Sequence, residues 1–293
     1  MRLLLVLGPT ASGKTAKAIE LAREYHTEIL STDSRQFYRE MDIGVARPSA
    51  KELQAAPHHF IACRSVMEPY NVYTYAEEAL TLIRELSDKY DTLVAVGGSS
   101  LYIEALCHGI APIPDPTPEL REQLSNTSLP ELRRMLQRLD PEHYAKVDLA
   151  NPVRLRRALE VCITTGKRYS EVVVRSTESR PFTVEPVVLM PDREELRRRI
   201  GSRIEKMMTQ GLEEEARRLY PLRHLTPLNT VGYKEFFALW EEVGEPFRLS
   251  SEECRQVSEA IALNTWHYAK KQLTWLRKYV DTLRGSRPVA PLS

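Results

Sequence analysis

Short apolar runs alternate with amphipathic segments from the N-terminus to His108. Leu3–Leu7 is a continuous apolar run, and shorter runs follow at Glu28–Thr32 and Thr92–Val96. Between them, apolar residues recur at helical spacing over Lys14–Tyr25 and Tyr73–Tyr90. Buried runs of this length are typical of parallel strands, because helices cover both faces of a parallel sheet. The pattern therefore predicts an α/β fold, in which ligands bind at the carboxyl ends of the strands.

The second half of the chain has a different pattern. Four alternating prolines between Pro112 and Pro118 predict a stiff connector, and a strand pattern returns only at Val184–Met190. The predicted helices around that strand are Pro118–Gln123, Leu129–Leu139, Pro152–Thr165, Arg193–Met208, Leu212–Tyr220, Tyr233–Glu242 and Ser251–Leu283. We therefore predict a sheet-containing core over residues 1–114 and 181–293, with a helical C-terminal region, and an inserted small helical lobe over residues 115–180.

Composition adds few constraints. The chain has 293 residues, of which 42% are hydrophobic and 28% charged, as in an ordinary globular protein. It has no apolar run of membrane-spanning length and no leader-like segment before the first strand, so we expect a cytoplasmic protein without a membrane partner. The four cysteines are far apart and contain no C-x-x-C pair, which favours reduced thiols over a zinc site or disulfides.

A phosphate-binding sequence joins the first predicted strand to the first predicted helix. It has the pattern G-x-x-x-x-G-K-T, and its residues are Gly8, Pro9, Thr10, Ala11, Ser12, Gly13, Lys14 and Thr15. The glycines let the backbone curl so that successive N–H groups point at an anionic diphosphate. Lys14 adds a positive charge, and the Thr15 hydroxyl is placed to bind Mg²⁺. These residues, called the phosphate loop below, predict a diphosphate site.

Asp33 directly follows the second predicted strand, at the sheet edge where the phosphate loop is expected. A carboxylate there can bind Mg²⁺, act as a general base or only cap a helix; its closeness to the loop favours catalysis. The strand Thr92–Val96, by contrast, runs into Gly97-Gly98-Ser99-Ser100, without the acid that nucleotide hydrolases use to hold Mg²⁺. This absence argues against a switch or motor ATPase.

Two further clusters are open to more than one interpretation. We expect His58-His59 in an irregular region over the sheet, where a structural or substrate-lining role is favoured over metal ligation. Arginines open the helix after the last strand, and most of them should face solvent. One of them can reach back to the diphosphate, because the end of that strand faces the same site; the cluster is Arg193, Arg197, Arg198 and Arg199.

The final helix combines basic and aromatic residues. From Asn264 onward the only acid is Asp281, against the basic residues Lys270, Lys271, Arg277, Lys278, Arg284 and Arg287. Trp266, Tyr268, Trp275 and Tyr279 alternate with them. Bases stack on aromatic rings and phosphates pair with cations, so the helix suits RNA, although an ordinary solvated face has a similar composition. The residues alone thus indicate a diphosphate-dependent transferase and leave an RNA partner open.

Taken in order, these segments resemble the tRNA dimethylallyltransferase (tRNA isopentenyltransferase) family. The resemblance rests on motifs that span nearly the whole chain: Gly8–Thr15 (GPTASGKT), Asp33–Tyr38 (DSRQFY), Met41–Pro48 (MDIGVARP), His58-His59, Gly97–Tyr102 (GGSSLY), Asn151–Glu160 (NPVRLRRALE), Asp192–Ile200 (DREELRRRI), Gly232–Glu235 (GYKE) and Ala269–Arg277 (AKKQLTWLR).

The resemblance implies transfer of the dimethylallyl group from dimethylallyl diphosphate to N6 of adenosine 37 in tRNA, with diphosphate as the second product. By that analogy Asp33 is the general base, Arg199 helps to hold the diphosphate together with Lys14, and Mg²⁺ binds at Thr15. It also implies that the core and the inserted lobe contact the tRNA. The implied tRNA-binding residues are Asp33, Ser34, Arg35, Gln36, Ser99, Arg121, Val153, Arg154, Leu155, Arg156, Arg157, Lys270, Lys271 and Gln272.

Three alternatives stay open at this point. A small-molecule kinase uses the same loop and sheet, but it leaves GYKE and the basic final helix unexplained. An adenylate (cytokinin-type) isopentenyltransferase shares the N-terminal chemistry but needs neither the inserted lobe nor that helix. A non-catalytic RNA-binding protein has no need of an intact Lys14, Thr15 and Asp33. We expect a monomer, because one chain that clamps one tRNA is the simplest arrangement.

Overall fold

The structure, a computed structural model, describes residues 1–172 and 180–285. Within these residues five strands form one sheet, with the bounds β1 (Arg2–Leu7), β2 (Ile29–Ser31), β3 (His58–His59), β4 (Thr92–Gly97) and β5 (Thr183–Val188). The order across the sheet is β3-β2-β4-β1-β5, and every neighbouring pair is parallel. The predicted parallel α/β fold is therefore confirmed. Arg287, the last of the basic residues counted above, lies outside the described residues.

The described residues also form helices. Their bounds are α1 (Lys14–Glu24), α2 (Ala50–Ala55), α3 (Val72–Ser87), α4 (Ser100–His108), α5 (Pro118–Asn126), α6 (Leu129–Leu139), α7 (Pro141–Tyr144), α8 (Pro152–Thr165), α9 (Tyr169–Val172), α10 (Arg193–Thr209), α11 (Leu212–Leu219), α12 (Lys234–Val243) and α13 (Ser251–Gly285). The short helices α2, α7 and α9 were not predicted, because one turn is too short to show a helical period.

Burial explains which strands lie inside the sheet. β1 is a run of leucines and valine that is buried along nearly its whole length, as a central parallel strand requires. β5 is at the edge and is only partly buried, and there the sheet accepts Pro186, which has no N–H to donate to a further strand. The sheet thus places the ends of β1, β2 and β4 side by side.

One prediction about the sheet was wrong. His58 and His59 do not lie in an irregular region over the sheet but form β3, its edge strand, paired with Ile29 and Leu30 of β2. The His59 ring nitrogen Nε2 lies 2.5 Å from Glu28 Oε2. A two-residue strand follows backbone pairing with its neighbour, which the local sequence does not reveal.

The chain divides into two compact units, one of Met1–Ile103 with Arg180–Ser293 and one of Glu104–Ser179. The first boundary lies inside α4, earlier than the proline run where the sequence analysis predicts it. The second unit has its own apolar core, in which Leu155 and Leu159 of α8 pack with leucines of α5 and α6. α8 has the bounds predicted for it, because Asn151 caps its start, Pro152 fits its first turn and Gly166 ends it with a φ of 67°.

The helices α10 to α13 have a core of their own within the first unit. Its largest fully buried side chains include Tyr233, Phe236 and Trp240. Phe37 and Met41, from the segment after β2, belong to the same core. The C-terminal helices therefore pack against the segment that follows β2 and Asp33. Among the described residues, no helix is long and apolar enough to cross a membrane.

Candidate active site

A cavity of about 1090 Å³ lies at the carboxyl end of the sheet. All of its lining residues belong to the first unit, and they come from the phosphate loop, the ends of β2 and β4, the segment 42–52 and one side of α10 and α13. This is the position at which open parallel sheets bind ligands. Charged and apolar side chains both line it, the apolar ones being mainly Ala11, Ile43, Val45, Ala46, Ile61, Val96 and Met207. The cavity therefore suits a ligand with an anionic end and an apolar end.

The phosphate loop connects β1 to α1 in the conformation that its glycines predict. Gly13 has a φ of 90°, in the left-handed region where glycine is free of strain, and it is the N-cap of α1. A Cβ on Gly8 would lie 2.8 Å from the backbone oxygen of Leu189, so any larger residue would push the loop from β5. The first N–H groups of α1 have no partners in the helix, and they provide anion-binding donors beside the cavity.

Lys14 is partly buried in the loop, and its Nζ donates to the Pro9 carbonyl oxygen at 2.7 Å. The pKa of Lys14 is lowered from its ordinary value to about 8, mainly by burial and also by the nearby positive charge of Arg203, against the opposing effect of Asp33. An ammonium ion that is surrounded by protein and by another cation is poorly stabilised. A diphosphate bound here would supply the missing negative charge.

Two arginines of α10 reach the phosphate loop. Arg199 Nη1 donates to the Ser12 carbonyl oxygen at 3.3 Å, while its Nε donates to Glu195 at 2.6 Å. Arg203 Nη1 donates to Thr10 Oγ1 at 3.0 Å, and burial lowers the pKa of Arg203. The expectation that one arginine of this helix reaches back to the loop is thus met geometrically by Arg199.

Arg203 was missed by the sequence analysis, although a signal for it exists. It follows Arg199 by four residues, and residues at that spacing share one face of a helix. With Arg199 aimed at the loop, Arg203 has to point the same way. The loop is consequently lined by three cations, Lys14, Arg199 and Arg203.

Asp33 follows the end of β2 and lies near enough to these cations for its charge to act on Lys14 and Arg203. Its Oδ1 accepts hydrogen bonds from the backbone N–H of Arg35 at 2.9 Å and of Gln36 at 3.3 Å. In the described part of the chain the next helix begins only at Ala50, so Asp33 closes a turn and does not cap a helix. The carboxylate lines the cavity, which leaves the roles of metal ligand and general base open to it.

Gln272 of α13 joins two of the strand ends. Its Oε1 accepts from the Thr10 N–H at 2.7 Å, and its Nε2 donates to the Gly98 carbonyl oxygen at 2.9 Å. A Cβ on Gly98 would collide with this amide, so the glycine after β4 makes room for α13. The geometry gives the Gln272 amide two protein partners, and its predicted contact with tRNA stays a prediction.

Tyr268, one turn before Gln272, also lines the cavity and was not predicted as a site residue. Burial of its hydroxyl raises the pKa of Tyr268, and the charge of Asp33 raises it further. Ser99 lies beside them, and its Oγ accepts from the Ser34 N–H at 3.0 Å. These contacts place the predicted residues Ser34 and Ser99 together, next to Asp33.

Several buried polar atoms at this end of the sheet have no hydrogen-bond partner in the protein. They include Ser12 Oγ and His58 Nε2, both of residues that line the cavity, and Thr32 Oγ1 beside Gly97. Unpaired buried polar atoms are unfavourable, so a site that retains them is suited to a polar ligand. The substrate-lining alternative for His58 agrees with this placement.

The other predicted tRNA residues lie in two regions. In the second unit, Arg121 pairs with Asp115 at 3.2 Å, Arg157 pairs with Glu160 at 3.1 Å, and Val153 is 69% exposed. Leu155 is fully buried in the core of that unit, so its side chain is not available to a partner. Arg154 donates its backbone N–H to the cap of α8, and the Arg156 guanidinium reaches the Ser125 carbonyl oxygen.

In the first unit, Lys270 and Lys271 are exposed on α13, where they form a surface patch with His267, Thr274, Trp275 and Lys278. Trp275 stacks on Tyr279 with ring centroids 4.7 Å apart. This combination of cations and a partly exposed aromatic ring agrees with the pattern that the sequence predicts for the final helix.

Comparison with known proteins settles the family. A family model described as IPP transferase matches residues 36–279, which is most of the chain. The chain belongs to the IPP transferase family. The residues that carry the resemblance in the sequence are thus those of a true member.

Individual members of the family match nearly the whole chain. A tRNA dimethylallyltransferase of Porphyromonas gingivalis is 41% identical over 292 residues, which are 98% of this chain and 94% of that protein. A tRNA dimethylallyltransferase of Christiangramia forsetii is 44% identical over 281 residues, 94% of this chain and 90% of the relative.

Solved structures of the family have the same fold. The crystal structure of the full-length tRNA isopentenylpyrophosphate transferase from Bacillus halodurans has a TM-score of 0.64 at 30% identity, and the match covers 94% of this chain and 86% of that chain. A eukaryotic dimethylallyltransferase acting on tRNA has a TM-score of 0.75 at 22% identity, over 94% of this chain and 70% of that one. At that identity the second match shows the fold alone.

The low pKa of Lys14 generates a prediction for anion binding by this IPP transferase. Below about pH 8 the ammonium group is charged and attracts an anion; above it the neutral amine does not. A bound anion raises the pKa of Lys14, so binding near this pH takes up a proton and weakens as the pH rises. Calorimetric titration with inorganic diphosphate at about pH 7 and about pH 9 should show that the affinity for diphosphate falls by up to about tenfold per pH unit. The Lys14→Met variant is the control, since equal pH slopes for both proteins would contradict the assignment.

Proposed function

We propose that this protein transfers the dimethylallyl group from dimethylallyl diphosphate to N6 of adenosine 37 in tRNA. The observation that carries the proposal is that Asp33 lines the same cavity as Lys14, Arg199 and Arg203, the three cations at the phosphate loop. This arrangement provides an anion site for the leaving diphosphate and a carboxylate for the proton that the amine loses. The names of the relatives as tRNA dimethylallyltransferases support the choice of both substrates.

The leaving group is the first chemical problem that the site has to solve. When the bond between the isoprenoid carbon and the diphosphate oxygen breaks, negative charge grows on that oxygen. Donors that are already in place stabilise such charge without having to reorganise. Lys14, Arg199, Arg203 and the N–H groups of the phosphate loop are the donors available here. Since all are fixed by contacts within the protein, the anion site is formed before the substrate binds.

The acceptor is the second problem. An exocyclic adenine amine is a poor nucleophile, so it has to be oriented at the isoprenoid carbon and relieved of a proton as the new C–N bond forms. In the proposed mechanism the N6 lone pair forms that bond and an N6 proton moves to Asp33. The two backbone hydrogen bonds to Asp33 Oδ1 hold the carboxylate in a fixed orientation at the sheet edge.

We include Mg²⁺ in the proposal. The described residues contain no group of three or more His, Cys, Asp or Glu side chains that could hold a metal. Mg²⁺ in nucleotide sites usually needs no such cage, since one or two protein oxygens, the phosphates and water complete its coordination. The Thr15 hydroxyl at the cavity is the protein ligand that fits this mode. When bound, the ion would supply further positive charge against the diphosphate.

The tRNA has to present adenosine 37 out of its base stack for N6 to reach the cavity. We propose that Ser34, Gln36 and Ser99 receive the base beside Asp33, and that the α13 patch and the cations of α5 and α8 contact the phosphate backbone.

We propose a monomer, each chain binding one tRNA. The α13 patch argues against a small-molecule kinase and against an enzyme for free nucleotides, since neither needs a basic surface for RNA.

A paired label-transfer assay tests the proposal. Purified protein with Mg²⁺ receives prenyl-labelled dimethylallyl diphosphate, together with an unmodified tRNA that has adenosine 37, or with AMP in a parallel reaction. We expect label in the tRNA and none when adenosine 37 is replaced by guanosine. Label in AMP alone would indicate the adenylate enzyme. Transfer to neither acceptor would contradict the proposal, and ATP-dependent phosphorylation of a metabolite would identify a kinase.

The role of Asp33 makes a specific prediction. Asp33→Asn keeps the size of the side chain and its acceptor oxygen but removes the basic carboxylate, so turnover should fall by about 10²-fold or more. Binding of tRNA, measured by fluorescence anisotropy, should stay within about twofold, because no charge contact to phosphate is removed. Full turnover, or a large loss of tRNA affinity, would refute the general-base assignment.

The α13 patch makes a second prediction. Each phosphate contact by a lysine steepens the salt dependence of RNA binding by about 0.7–0.9 in a log–log plot. Lys270→Ala combined with Lys271→Ala should therefore weaken tRNA binding and flatten the slope. The matched control is Lys89→Ala, an exposed lysine after the end of α3. If the double variant kept the wild-type slope, these lysines would belong to an ordinary solvated surface.

A further inference from the structure

A buried carboxylate far from the phosphate loop holds one wall of the cavity. Glu215, on α11, is only 3% exposed. Its Oε2 accepts from the Ile43 N–H at 3.0 Å, and its Oε1 accepts from the Gly44 N–H at 2.9 Å and from the Tyr233 hydroxyl at 2.7 Å. Neither the phosphate loop nor Asp33 touches it, so the mechanism proposed above does not use it.

The two motifs that the function has not yet explained, MDIGVARP and GYKE, meet at this carboxylate. The ring of Tyr233 packs so closely on Gly44 that a Cβ there would lie far inside van der Waals contact with it. A Cβ on Gly232, whose φ is 104°, would lie 2.9 Å from the Gly44 carbonyl oxygen. Gly44 is therefore required by the packing of the Tyr233 ring, and Gly232 by the close approach of its backbone to that of Gly44.

The segment 42–47 that Glu215 holds is part of the cavity lining. Ile43, Val45 and Ala46 provide much of its apolar surface. The segment is anchored a second time from the side of Asp33, because Gln36 Nε2 donates to the carbonyl oxygens of Val45 at 3.3 Å and Ala46 at 3.0 Å. Glu215 thus holds backbone N–H groups in the first half of the segment, and Gln36 holds backbone carbonyl oxygens in the second half.

The backbone of this segment needs such anchoring. Ala46 has a φ of 48°, in the left-handed region that is unfavourable for any residue with a Cβ. A backbone in this conformation persists only where its surroundings fix it. The contacts of Glu215 and Gln36 supply that constraint.

We propose that Glu215, together with Tyr233, is a positioning residue that fixes the segment 42–47 as a rigid wall, of which Ile43, Val45 and Ala46 are the apolar part, and so limits the length of the prenyl group that the cavity accepts. The inference rests on the proposed function, since it takes the ligand to be an isoprenoid diphosphate. Glu215 does not touch the substrate; it acts through the backbone of Ile43 and Gly44. A cavity selects ligands by size only if its wall keeps its position when a larger ligand enters. The hydrogen bonds of the buried Glu215 carboxylate hold the segment 42–47 in that position.

Glu215→Gln is the first test variant. A glutamine of the same shape places an amide NH₂ where one carboxylate oxygen accepts hydrogen bonds, so at least one backbone N–H is left facing a donor. Loss of a hydrogen bond to a buried charged group is enough to move the segment in a substantial fraction of molecules. The readout is the ratio of kcat/KM for dimethylallyl diphosphate to kcat/KM for geranyl diphosphate, which is longer by one five-carbon unit. We expect this ratio to fall by about tenfold.

The chain offers a matched control on the same helix. Glu213 is also largely buried, accepts from the Leu249 N–H at 3.0 Å and pairs with Arg217, but it has no contact with the segment 42–47. Glu213→Gln should therefore lower stability by a similar amount and leave the prenyl-length ratio unchanged. Melting temperatures of both variants separate general destabilisation from an effect on the wall.

Gly44→Ala is a second variant, in which the added methyl group meets the Tyr233 ring and displaces the segment 42–47. It tests the positioning role if Glu215→Gln fails to fold. It too should lower the prenyl-length ratio. Wild-type ratios in the folded variants would overturn the positioning role, even if turnover fell. If the wild-type protein itself transferred no dimethylallyl group to tRNA, the proposed function would fail instead, so the two failures are distinguishable.

Discussion

The site depends on positive charge that the fold concentrates at one loop, partly shielded from water, before any ligand arrives. Lys14, Arg199 and Arg203 converge on one turn of backbone, and burial lowers the pKa of both Lys14 and Arg203. Desolvated cations are unfavourable for folding unless protein dipoles or a bound anion compensate them. Here carbonyl oxygens of Pro9 and Ser12 compensate them only in part. The structure is therefore complementary to an anion with more than one negative charge.

The arrangement of elements follows from the need to support that charge. The phosphate loop connects β1 to α1, and both arginines lie on α10, the helix that follows β5 along the chain. β1 and β5 are neighbours in the sheet. The strand order thus brings residues from the two ends of the chain onto the same loop. Gln272 adds a third support, because its amide bonds to Thr10 and Gly98 together. α13, which carries the basic surface patch, is thereby coupled to the phosphate loop through hydrogen bonds.

The segment 42–47 adds a different kind of surface to the cavity. The apolar side chains of Ile43, Val45 and Ala46 line it beside the paired Asp42 and Arg47, and the segment is held by the carboxylate of Glu215 and the amide of Gln36. A charged wall would bind an anion nonselectively, whereas an apolar wall discriminates by shape. The cavity thus combines a charged part for the diphosphate with an apolar part for a hydrocarbon group. Asp33 lines the same cavity.

By itself, the sequence was enough to predict the parallel sheet, the phosphate loop, the position of Asp33 and the bounds of helices such as α6 and α8. These features depend on local properties: a run of apolar residues, a glycine at a left-handed position, a capping residue before a proline. It also carried the motifs of the IPP transferase family. The short helices and the edge strand of His58 and His59 escaped prediction, because a segment of two to six residues has no detectable period.

Only the tertiary structure showed what Arg203, Gln272 and Glu215 contact. Each makes its decisive contact with a residue that is distant in the sequence, Thr10 for the first two and Gly44 for the third. Such contacts follow from the order of strands in the sheet and the packing of helices on it, and no local pattern encodes them. The same reason explains Leu155, whose place in a basic motif suggested a surface role but whose side chain packs in an apolar core. Local sequence determined the chemical groups of this protein, and long-range packing determined which of them face one another.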